Sequence, residues 1–123
     1  MPSQELQALA ARLEAGENPG AEMAERVTAL LAAAAPDRPL WRGAAAAALG
    51  STDAALGLLA EALPSWSVHI SGSSATVAGR WTCTIRETGV RDDDELIGVG
   101  KAATLAGAVA AALLKVIAMR APA

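Results

Sequence analysis

At Pro64 the spacing of apolar residues changes from about 3.6 residues to 2, so the chain has to fold as a helix before that point and as strands after it. Upstream, Ala54, Ala55, Leu58, Leu59 and Leu63 repeat on one helical face. Downstream, Trp66, Val68 and Ile70 alternate with Ser67, His69 and Ser71, the pattern of a strand with one buried side. The "SGSS" segment turns the chain. From Ala75 to Ile85 the alternation resumes, with Ala75, Val77, Trp81, Cys83 and Ile85 facing one way and Thr76, Arg80, Thr82, Thr84 and Arg86 the other. Gly79 marks a bend or bulge in that strand. Beyond the polar loop "ETGVRDDDE", Leu96 to Val99 predicts a third short strand. A last helix over Lys101 to Arg120 carries the stripe Leu105, Val109, Ala112, Leu113, Val116 and Ile117.

Two further helices precede this unit. Leu6, Leu9 and Leu13 follow a capping candidate, Ser3, and end at the breakers of "GENPG". Met23, Val27, Leu30, Leu31 and Ala34 form a second stripe within Ala21 to Ala35, closed by Pro36, and the short join predicts an antiparallel pair. Residues 44–49 have helical propensity with little amphipathic signal, which leaves a short helical turn or a loop. The fold class expected is α+β: an N-terminal helix pair, then a helix, a three-stranded antiparallel sheet and a C-terminal helix, in layers. Residues 1–36 form the helical hairpin and residues 40–120 the α-β-β-β-α part of one compact unit.

Composition sharpens the packing problem. Phe and Tyr are absent and about a quarter of the chain is Ala, so helices must approach one another closely and the three Trp residues matter disproportionately. The net charge is -3, and the basic residues are scattered rather than clustered, which gives no support to nucleic acid binding by charge. The one cysteine, Cys83, can form no internal disulfide, and a reducing cytoplasm is the simplest home. The N-terminal residues lack the pattern of a secretory signal. The run Ala102 to Met119 is apolar but rich in Ala and carries Lys115 in its inner half, whereas a membrane span needs roughly twenty strongly apolar residues.

The motifs with chemical potential read as structure. Ser51, Thr52 or Asp53 stands where a helix cap belongs, and neither "LGSTDA" nor "SGSSAT" has the form of a nucleophile elbow. "GVGK" at 98–101 lacks the flanking residues of a phosphate loop and predicts a tight strand-to-helix turn. Asp92, Asp93, Asp94 and Glu95 are consecutive acids without the spacing of a calcium loop, so they read as a solvated loop able to dock on a basic partner. His69 has no second ligand at metal-binding spacing, and Cys83 shares the buried alternation. No catalytic residue, cofactor or metal site is expected. What remains is a recognition surface: His69, Arg80, Thr82, Thr84 and Arg86 on the polar side of the sheet, with Asp92, Asp93, Asp94 and Glu95 beside it, and sheet edges able to pair with another chain.

The order helix, "STDAALGLL", "LPSW", a hairpin with "RWTCTI" and the Ala-rich "AATLAGAVAAALL" resembles the phage ABA sandwich domain, a family of small phage and prophage proteins. That resemblance covers about Leu40 to Ile117 and implies a layered fold, a phage or prophage origin and residence in a bacterial host cytoplasm, with no activity attached. The α-β-β-β-α order and "GVGKAATLAGAVAAALLKVI" also look like the double-stranded RNA-binding domain, but Lys101 stands alone where that domain has a lysine cluster. The function expected is therefore that of a non-enzymatic phage accessory protein that binds another protein of host or phage, as a homodimer through a sheet edge or helices, with inhibition of a bacterial defence complex as one version. The alternatives are a nucleic-acid-binding module and a minor structural protein of the virion.

Overall fold

The computed structural model describes residues 2–15, 20–34, 49, 51–63, 66–72, 81–87 and 97–120. Helix α1 spans Pro2–Glu14 and α2 spans Ala21–Ala34. Helix α3, Thr52–Ala62, leads into strands β1 (Ser67–Gly72), β2 (Trp81–Arg86) and β3 (Ile97–Ala102), and α4 (Leu105–Arg120) closes the order. The α+β layout read from the sequence is the one observed. The strands form one antiparallel sheet in the order β1-β2-β3.

Local chemistry accounts for the element ends. Ser51 is extended, at φ -137 and ψ 125, and its hydroxyl accepts from the Ala54 N–H at 3.3 Å, which makes it the cap of α3 among the three residues that compete for that place. The Leu63 N–H donates to the Leu59 carbonyl as the helix ends. Ser3 is not a cap: α1 already runs at Pro2, whose fixed φ suits a first helical turn. Thr104 caps α4, its Oγ1 accepting from the Gly107 N–H at 3.0 Å.

The last helix departs from the expected stripe. Every residue from Ala106 to Leu114 and from Val116 to Ala118 is buried, so α4 is enclosed on all sides rather than amphipathic. Alpha-helix α1 packs on it through Leu6, Leu9, Ala10 and Leu13, α3 packs on it through the face of Ala55, Leu58, Leu59 and Ala62, and β2 and β3 lie beneath it. Met23, Val27 and Leu30 of α2 join the same core, while Arg26 pairs with Glu5 of α1.

The third strand is longer than expected and explains the glycines. Gly98 to Lys101 lie inside β3, and the turn into α4 comes only at Ala103 and Thr104. A methyl group at Gly100 would overlap the Ala108 carbonyl and stand 2.6 Å from the Ala112 nitrogen, and one at Gly98 would stand 2.8 Å from the Ala112 carbonyl oxygen. The two glycines thus let a strand lie directly on the backbone of an alanine-rich helix. Where each alanine contributes only about 0.8 kcal/mol per buried carbon, that closeness is what fills the core.

Cys83 and Ile85 of β2 and Ala102 of β3 are fully buried beneath α4, and Trp66, Trp81 and Ile70 pack half-buried at the margin of the core. Both tryptophans therefore side with the core, although Trp66 lies just ahead of β1 rather than within it. The strand reading of Ala75 to Arg80, the Gly79 bend, Trp41 and residues 44–48 fall outside the described residues; Leu49 is buried in a turn.

Candidate functional site

The register of the sheet assembles its outer face in three rows. Ser67 lies opposite Arg86, which lies opposite Ile97; His69 opposite Thr84, opposite Val99; Ser71 opposite Thr82, opposite Lys101. Successive side chains on a strand point to opposite faces, so these nine share the side turned away from α4. None of them is buried: Thr82, Thr84 and Val99 are half-buried and the other six are exposed. His69, Thr82, Thr84 and Arg86 thus stand together on one face. Arg80, Asp92, Asp93, Asp94 and Glu95 lie outside the described residues.

The same face holds residues that the alternation of the first two strands did not bring in. Ile97, Val99 and Lys101 join it because β3 continues through "GVGK". Ile97 is 42% exposed, and it borders a groove that also includes Ala11 of α1, Val99, and Lys115 and Met119 of α4. The signal was present in the sequence as a second alternation, Ile97, Val99 and Lys101 against Gly98, Gly100 and Ala102, hidden because the inner side is nearly devoid of side chains.

One edge of the sheet is closed by a polar clip. Glu14, at the end of α1, accepts from the Lys101 N–H at 2.9 Å and pairs with the Lys115 ammonium at 2.9 Å. Lys115 also donates to the Val99 carbonyl at 2.7 Å. The Val99 carbonyl and the Lys101 N–H, both pointing outward from β3, are therefore paired from within the chain, because α1 and α4 reach that edge. Lys115→Met keeps the aliphatic stem and removes the ammonium, leaving Glu14 and the Val99 carbonyl short of a donor. The expected loss is about 1–3 kcal/mol in urea unfolding, with a coupling to Glu14→Gln of about 1 kcal/mol in a double-mutant cycle. Additive effects of the two substitutions would mean that the Glu14–Lys115 pair contributes nothing.

Cys83 is a core thiol. Burial lifts it from its ordinary value of 9.0 to about 11, and its side chain is fully enclosed. The expected result is no reaction with a thiol reagent at pH 8 until the protein unfolds. The unfolded chain releases this proton near 9.0 and the folded chain near 11, so stability falls as pH rises through that window. A Cys83→Ser variant should lose that part of the alkaline slope.

Among the described residues no group of three or more His, Cys, Asp or Glu is gathered to hold a metal ion, and no helix is long and apolar enough to cross a membrane. No family model, curated protein or solved structure matches the chain.

Proposed function

We infer that this protein works by binding another protein through the outer face of its sheet. The observation that carries this reading is the face itself: nine positions from three strands, none buried, mixing the hydroxyls of Ser67, Ser71, Thr82 and Thr84 with Arg86, Lys101 and His69 and with the apolar Ile97 and Val99. Hydroxyls on the central strand give such a face groups that set register, and Ile97 and Val99 add apolar surface along its β3 side. The sequence likeness to phage proteins supplies the setting, that of an accessory protein of a phage or prophage, with inhibition of a host defence complex as one version of it.

The test is retention of a protein from a bacterial host lysate at physiological salt by the immobilised chain, compared with the variants His69→Glu with Lys101→Glu, and Thr84→Arg. The reading expects a retained protein that both variants lose while keeping the circular dichroism spectrum of the native chain. Equal retention by both folded variants would remove the face from the account. Retention of nucleic acid alone, released steeply as salt rises, would instead favour the nucleic-acid-binding alternative.

A further inference from the structure

The two edges of the sheet are unlike, and the difference follows from hydrogen-bond parity. Along an antiparallel strand, the N–H and C=O of one residue point to one side and those of the next residue to the other. The Val99 carbonyl and the Lys101 N–H point away from β2, toward Lys115 and Glu14. Gly98, Gly100 and Ala102 therefore bond to Ile85, Cys83 and Trp81, with which they are paired. It follows that Arg86, Thr84 and Thr82 bond to Ser67, His69 and Ser71 of β1. The N–H and C=O groups of Val68, Ile70 and Gly72 are left pointing outward from β1.

Nothing among the described residues pairs with that row. The sequence of β1 itself contains neither Pro, Lys nor any acid. Such an edge lacks the usual devices that keep strands from pairing. Its inner side is also apolar beyond the reach of α4: Val68 is 39% exposed although its pairing partner Ile85 is fully buried, and Ile70 is half-buried.

We propose that β1 pairs antiparallel with β1 of a second copy of this chain, joining two three-stranded sheets into one of six strands. The outward row demands an extended strand, and an antiparallel pairing of β1 with itself offers the same unpaired row from both sides. A two-fold axis at His69 sets Val68 opposite Ile70 of the second copy twice over, on the side of the core, so exposed apolar surface is covered by its own complement. His69 then faces His69 of the second copy on the outer side, as a non-hydrogen-bonded pair whose Cα atoms lie about 4.5 Å apart. The outer faces of the two sheets become continuous. This pairing uses the edge of β1 and shares His69 alone with the outer face given to partner binding, where Thr84→Arg tests that face without touching the pairing.

Sedimentation equilibrium of the full chain is expected to give twice the 12.3 kDa chain mass, and Val68→Lys, which places two charges against Ile70 at an exposed position, is expected to give the single-chain mass with an unchanged unfolding midpoint of the monomer. As a second measurement that does not depend on that variant folding, His69→Cys is expected to form an interchain disulfide on mild oxidation, since non-hydrogen-bonded pairs bring the two Cβ atoms into disulfide range. Thr84→Cys, on the same face but on the central strand, is expected not to. A wild-type chain that remains single at sub-millimolar concentration, a dimer unaffected by Val68→Lys, or cross-linking of Thr84→Cys as fast as of His69→Cys would each overturn the proposal.

Discussion

Gly100→Ala is expected to lower the unfolding free energy by about 3 kcal/mol or more, a large share of the 5–15 kcal/mol typical of a single domain. The added methyl meets backbone on two sides, the Ala108 carbonyl and the Ala112 nitrogen, with the Ala111 methyl at 3.1 Å. Backbone of a fully enclosed helix cannot swing away as the end of a side chain can, so relief requires α4 to lift from β3. Gly98→Ala meets one backbone atom, the Ala112 carbonyl oxygen, and otherwise the side chains of Val116 and Ile85, and its cost should be smaller because only one of its close contacts is backbone. Gly57→Ala supplies the control. That glycine lies exposed in α3 with nothing within 4 Å of the added carbon, and the substitution should stabilise by about 0.5–1 kcal/mol through helix propensity. Urea unfolding of the three variants checks the ranking, and a neutral Gly100→Ala would mean that α4 does not lie on β3 as described.

Leu6→Ala carries the second large effect, an expected loss of about 2–5 kcal/mol. Leu6 is completely buried on the α1 face that also presents Leu9, Ala10 and Leu13 to α4. With no Phe or Tyr in the chain, few side chains nearby are large enough to close the cavity left behind. The same substitution also loosens the helix that brings Glu14 to the edge of β3. The outcome is read from the unfolding midpoint and from whether one transition persists. If Leu6→Ala changes neither, α1 is an appendage and not a wall of the core.

How far residues announce this structure depends on the kind of signal they carry. Ser51 with Ala54, Ala55, Leu58 and Leu59 behind it, and Cys83 with Ile85 in step, are local patterns whose period alone names the element, and they place the helix, the hairpin and the polar face bearing His69 and Thr84. Alanine and glycine carry no such signal. The run from Ala106 to Ala118 has too little contrast between faces to reveal that all of them are covered, and Gly98 and Gly100 look like a turn because a strand whose inner side chains are missing does not alternate visibly. The edge clip is illegible for another reason: Glu14 and Lys101 are 87 residues apart in the chain, and only the packing of α1 on α4 brings them together. Of the outer sheet face, His69, Thr82, Thr84 and Arg86 were readable from alternation, whereas Ile97, Val99 and Lys101 depended on that unseen extension of β3.

Amide hydrogen exchange under native conditions tests most directly whether α4 is the common wall of one core. The account predicts that the amides of Val109 to Val116 open only with global unfolding, at the free energy measured in urea, and that those of Leu9 to Leu13 in α1 open with them. Exchange of the α1 amides at a far lower free energy than those of α4, or fast exchange along α4 itself, would contradict it.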